Sequence, residues 1–468
     1  MIFNITVIIY MLILLAIGFW SAKKISEISD FLLAGRRLGT LLAAGALAAT
    51  HFGGGMIMGG GEYGFIYGLS GAWYGIACGL GLIILALLTA SEFRKLAFYT
   101  VPDYLEHRYN SKFLRVLSAL LSLTALTGIL AAQVLASQGA LSIIGFKGNS
   151  GAIISTIVFI VYTVSGGLWA ATITDFFQMI IAGGGVIIAA IFIIRGTGGF
   201  EGMLDMINQG GIVVSSKYLS IFGMASTTIM WLLIPTIMYT LIGQDFYQRL
   251  FSTKDAKTAK TASIVGGIFL IIISLFPAII GMGAKAYFPE LVDSKMAVSK
   301  IVKEFFPDWL GAIVLAALLS AIMSTASSLL TAGVSHVIKD FWIEIFNRQS
   351  IEKLSTKKLL FISRVLTVIL GLFALIIALS IPVIIDVLIY SYTIYTAGVF
   401  IPVIGGVLWR KATTAGALTG LIAGGLIALT GIITKIYIAG IPVEIYAAGA
   451  SLVVFIVVSL FTEKTKYE

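Results

Sequence analysis

Charge is what this chain has least of. Asp, Glu, Lys and Arg make up 11% of its 468 residues, while 59% are hydrophobic; a soluble globular protein carries about 25% charge. A water-soluble domain is therefore excluded, and an all-α integral membrane protein is expected. Cysteine is scarcer still. Cys78 is the one thiol, which excludes an internal disulfide and leaves no pair for a thiolate metal site or a redox couple. Enzyme signatures are missing as well: there is no His-Glu-x-x-His zinc helix and no Gly-x-Ser-x-Gly elbow. No basic segment precedes the apolar run that begins at Ile2, so that run reads as a first span rather than a cleaved leader.

Long hydrophobic runs stand in place of charge. They predict about thirteen transmembrane helices, among them 38–66, 112–143, 150–166, 172–195, 221–243 and 308–336. Most of the 31 Lys and Arg fall in loops on one side of the membrane, including 93–111, 244–258 and 337–357. The positive-inside bias places those loops and the C-terminus in the cytoplasm and the N-terminus outside, as a multi-pass protein of the plasma membrane. The formal charge of +9 is then a topogenic signal, and no nucleic-acid partner is expected.

Two blocks of five spans can be drawn. After an extra helix and loop over 1–37, the first block covers 38–195. A loop at 196–220, extracellular by the same bias, leads to the second at 221–409; two more helices and a short tail fill 410–468. Five is odd, so the blocks must lie upside down relative to one another. Each opens on an interrupted helix, the first at Gly53–Gly55 and Gly59–Gly61, the second at Pro235. Glycine costs a helix about 1 kcal/mol relative to alanine, and unwound backbone at membrane depth frees carbonyls that can hold an ion. The same glycines also suit close helix packing.

Hydroxyls supply the complementary half of an ion site. Ser324, Thr325, Ser327 and Ser328 sit within an uncharged run, and residues three and four apart share a helix face. Neutral oxygens suit hard cations, although serine and threonine also bond their own helix or glue neighbours together. Asp175 falls inside a span, where a carboxylate costs about 2.5–3.5 kcal/mol and needs a partner; an ion pathway and a helix cap are both open to it.

Four segments carry a family resemblance. They are the Gly-rich Ala48–Gly64 with Tyr67-Gly68, then Thr100–Tyr109, Tyr162–Gln178 and Ala321–Ser328. Gln244–Arg249, after the second break, adds a fifth. In that order the chain resembles the sodium/solute symporter family along nearly its whole length, with a first core helix somewhat like that of the choline transporter branch. The resemblance implies a five-plus-five inverted repeat and sodium-driven import of a small solute by alternating access. It also implies a main sodium site of the Ala49, Phe52 and Ala321 carbonyls with the Ser324 and Thr325 hydroxyls. A second sodium would draw on Asp175, Ser324, Ser327 and Ser328, giving one or two Na+ ions in all.

The solute is less legible. Gly55 and Met56 stand where the sugar-transporting branch has polar residues, and His51 and Gly243 where the choline branch presents tryptophans. A monocarboxylate or an amino acid is the favoured class; a choline-like amine, a sugar or a vitamin is the alternative. Thr50, His51, Gly55, Met56, Gln133, Trp231 and Tyr239 are the substrate-binding candidates. Beyond solute and sodium the expected partner is the lipid bilayer, with a single subunit as the unit. An integral membrane enzyme is the competing class, for which His336 and Asp340 have a superficially suitable spacing, though they read better as interfacial flanks.

Overall fold

The computed structural model describes residues 2–211, 214, 216–342, 356–380, 384–434 and 441–463. Helices α1 (Ile2–Ala22) and α2 (Ile28–Leu33) precede the first interrupted helix, made of α3 (Thr40–His51) and α4 (Gly60–Tyr67). Then α5 (Trp73–Leu88) and the short α6 (Ala90–Leu96) and α7 (Val101–Tyr109) lead to α8 (Lys112–Ser142) and α9 (Ser150–Gly196). After α10 (Gly199–Gln209) comes the second interrupted helix, α11 (Ser226–Thr240) and α12 (Gln244–Phe251), followed by α13 (Ala256–Ile273), α14 (Leu275–Tyr287) and α15 (Ala297–Glu304). The chain closes with α16 (Asp308–His336), α17 (Thr356–Ser380), α18 (Ile384–Leu408), α19 (Thr414–Thr434) and α20 (Val443–Glu463).

Ten helical stretches among the described residues are long and apolar enough to cross a bilayer, or eleven when α11 and α12, bent by 44°, count as one span. The expected thirteen is not reached on that measure, because expected spans run into one another. α9 is the clearest case. A straight helix of its 47 residues would measure about 70 Å, more than twice the roughly 30 Å hydrocarbon core. Gly167 interrupts it at φ 50°, between the two spans the sequence predicts. A Cβ there would come within 2.5 Å of the Phe31 carbonyl, so the position demands glycine twice over.

The two glycine triplets do different work. The helix breaks once, over Phe52–Gly54, and Gly55–Gly59 then form a single π-turn that runs directly into α4. Gly61 and Gly64 instead bring α4 against α14: a Cβ on Gly64 would lie 2.7 Å from Ala278 Cα, and one on Gly281 2.7 Å from Phe65 N. Breaking and close packing are thus both present, seven to twelve residues apart.

α16 runs through the middle of this assembly, with 94% of its apolar window buried against α1, α8 and α9. A helix surrounded on all sides needs no amphipathic stripe, so its hydroxyls face other helices. At one end of the bundle the three loops assigned to a common side do meet: Arg94 Nε donates to Thr253 O at 2.6 Å and Gln244 Oε1 accepts from Val101 N at 2.9 Å. Arg115 there pairs with Asp103, with Glu106 at 2.7 Å and with Asp340 at 2.8 Å. His336 Nδ1 lies 2.7 Å from the other Asp340 oxygen. His336 and Asp340 therefore anchor α16 to α7 and α8 through Arg115.

Candidate functional site

The break in α3 sets its last carbonyls against the hydroxyls of α16. Ser324 Oγ lies 3.3 Å and Thr325 Oγ1 3.2 Å from Ala49 O. The same two hydroxyls reach Ala321 O at 2.9 and 3.2 Å. Ala49, Ala321, Ser324 and Thr325 thus converge on one buried spot as neutral oxygens. Phe52 ends α3 with φ −78° and ψ 57°, leaving the helical path at the residue expected to offer its carbonyl. Each hydroxyl also bonds its own helix, yet both aim across the interface at one carbonyl, and the contacts are long. A cation seated among these oxygens would take over the lone pairs that now face each other. The local chemistry fits sodium: hard, neutral, dehydrated oxygens with no nitrogen or sulfur ligand. Gly53 keeps the approach open, since a Cβ there would come within 2.5 Å of Thr325 Oγ1.

Asp175 is found one turn deeper, fully buried. Ser327 Oγ donates to its Oδ1 at 3.2 Å, and Ser328 lies 3.4 Å from Oδ2. Its main partner was not foreseen in the sequence: Arg249 NH2 reaches Oδ2 at 3.1 Å and also bonds Ser328 Oγ. Asp175 is therefore not the only formal charge there. A buried carboxylate in lipid is tolerated when a cation offsets it, and α12 provides that cation.

Beside these clustered oxygens a cavity opens between the two broken helices, with about 640 Å³ of space including its mouth. Of the substrate-binding candidates, Thr50, His51, Gly55, Gln133 and Tyr239 line it. Gln133 Oε1 also accepts from Gly54 N at 3.3 Å, supporting the break. His51 Nε2 is 2.9 Å from Thr240 Oγ1, whose own proton goes to Thr236 O at 2.8 Å, so the imidazole is the donor. Its ring packs against Phe246 at a tilt of 31°, centroids 4.2 Å apart.

Two candidates lie elsewhere. Trp231 is 39% exposed and does not line the cavity; it precedes Tyr239 by eight residues, about 80° round the helix. Met56 is buried with its Cε toward Gly75 of α5, following Gly55 but pointing the other way. In their place the cavity gains Tyr74, Tyr392, Phe246 and Asp245. Asp245 is the acidic member, and it comes from α12. Thr325 lines the cavity as well, so one side chain touches both the ion-type oxygens and the solute space.

The family model for the sodium:solute symporters matches residues 31–424. The osmoregulated proline transporter OpuE of Bacillus subtilis is 28% identical over 97% of this chain and 94% of its own. The high-affinity choline transporter 1 of Caenorhabditis elegans is 25% identical over 91% of this chain and 77% of its own. A solved Na+-coupled sialic acid symporter, in a substrate-bound outward-open state, superposes with a TM-score of 0.84 at 18% identity, covering 98% of each chain.

Proposed function

The chain belongs to the sodium:solute symporter family, and from that premise we propose which residues hold the ion and what class of solute it drives. It is a membrane transporter that couples solute movement to sodium, and not an enzyme. In our reading Ala49, Phe52, Ala321, Ser324 and Thr325 hold one sodium. Thr325 carries the proposal: its hydroxyl belongs to the ion's oxygens and to the cavity wall, so an occupied ion site orders the wall the solute meets. Ion and solute then stabilise the same arrangement of α3 against α16, which is a coupling free energy shared by both.

For the ion count, Arg249 already supplies positive charge beside Asp175, which favours a single sodium over two. The block boundaries at 38–195 and 221–409, the thirteen crossings, a single subunit in the bilayer and an outside N-terminus in the plasma membrane complete the proposal. For the solute, the proline transporter among its relatives favours an amino acid over a simple monocarboxylate. A quaternary amine is the second reading, because Tyr74, Tyr239, Tyr392 and Phe246 all line the cavity and such a cation is held by aromatic rings.

Uptake of radiolabelled L-proline into proteoliposomes tests the class: it should collapse when the inward sodium gradient is replaced by potassium. Sodium-independent uptake at the same rate contradicts it. Orientation is read by labelling a cysteine placed at Ser111, which should stay unreactive to impermeant reagents added outside intact cells.

A further inference from the structure

We propose that Asp245 is the residue that makes the cavity select solutes bearing a positively charged nitrogen. This rests on the amino-acid reading above and sharpens it. Asp245 stands in the first turn of α12, just past the second helix break, where it lines the cavity. Tyr239 Oη donates to its Oδ1 at 3.2 Å. Among the described residues no Lys, Arg or His nitrogen lies within 4.0 Å of that carboxylate. Arg249, one turn along α12, is bonded elsewhere: its NH1 donates to the main-chain carbonyl of Asp245 at 2.9 Å, and its NH2 turns to Asp175.

Arg249 thus acts on this buried carboxylate only from a distance, and with Tyr239 as its side-chain donor the group still has room for a cation in direct contact. The backbone makes room for this one. A Cβ on Gly243 would stand 2.7 Å from Asp245 Oδ1, so glycine is what allows the carboxylate to sit at the cavity wall. Tyr74 and Tyr392 line the same cavity, and aromatic rings attract a cation to their faces and not an anion. A charged nitrogen placed among these groups meets an anion and aromatic faces. A plain carboxylate or a sugar there would leave Asp245 unpaired, and the carboxylate would be repelled by it. For a zwitterion the ammonium faces Asp245 while its carboxylate lies toward the α3 break and the sodium.

Matched solute pairs test this on purified protein by thermal shift in sodium: L-proline against cyclopentanecarboxylate, and choline against 3,3-dimethylbutanol. Wild type should bind the nitrogen cation of a pair at least tenfold more tightly. Asp245→Asn should lose most of that preference, and Asp245→Glu should restore part of it. Gly243→Ala, which crowds the carboxylate without removing it, should weaken the preference too and serves if Asp245→Asn does not fold. Stabilisation by choline but by no amino acid sinks the amino-acid reading and leaves the role of Asp245 standing. Wild type stabilised only by neutral or anionic members, or by none, overturns the inference. So does an Asp245→Asn protein with unchanged preference, or one altered in sodium activation alone.

Discussion

At the residue scale the ion-pair chemistry was the least legible part of the sequence. Asp175 stood out as a carboxylate within a span, but its partner lies 74 positions away on another helix. Arg249 looked like the end of a loop motif, and only the fold buries it. Asp245 was hidden for the same reason: it follows Gly243 at a helix break, where chain direction changes and no periodicity says which way a side chain points. The Ser324–Thr325 hydroxyls were legible because a polar cluster in an apolar helix has few explanations. The Asp175–Arg249 pair gives a test. Asp175→Asn or Arg249→Gln alone leaves a buried charge unpaired and should cost about 3–5 kcal/mol of stability; the double substitution should cost less than the two single ones together. Thermal unfolding in detergent measures this, and strict additivity would show that the two groups act independently.

At the element scale the sequence predicted helices well and their junctions poorly. Windows of hydropathy located α8, α16 and both halves of α9, because about twenty apolar residues are required for each crossing. They could not separate breaking glycines from packing glycines, since both lie in the same run and differ only in what stands opposite. Gly53 faces Thr325, while Gly64 faces the backbone of α14. Phase was lost in the same way at Trp231, which shares α11 with Tyr239 but not its face. Gly167 offers the element-scale prediction. Its φ of 50° with ψ −139° is a backbone region open essentially to glycine alone and costs an L-residue about 1–3 kcal/mol, and the Cβ clash with Phe31 adds to it. Gly167→Ala should therefore lower the melting temperature far more than Gly184→Ala, which meets nothing within 4 Å. Equal effects would mean that the joint within α9 is not held by this turn.

At the scale of the whole molecule, the two interrupted helices, α5, α8, α16 and α18 surround one cavity, and the oxygens proposed to hold sodium adjoin it through Thr325. The central claim is that ion and solute share that wall. Sodium activation of solute uptake in proteoliposomes addresses it most directly, comparing wild type with Ser324→Ala and Thr325→Ala. Each substitution removes one oxygen and should raise the half-activating sodium concentration about tenfold, the equivalent of about 1.4 kcal/mol. Thr325→Ala should also weaken solute affinity measured at saturating sodium, whereas Ser324→Ala should leave it near wild type. Sodium activation curves that coincide in all three proteins would contradict the account.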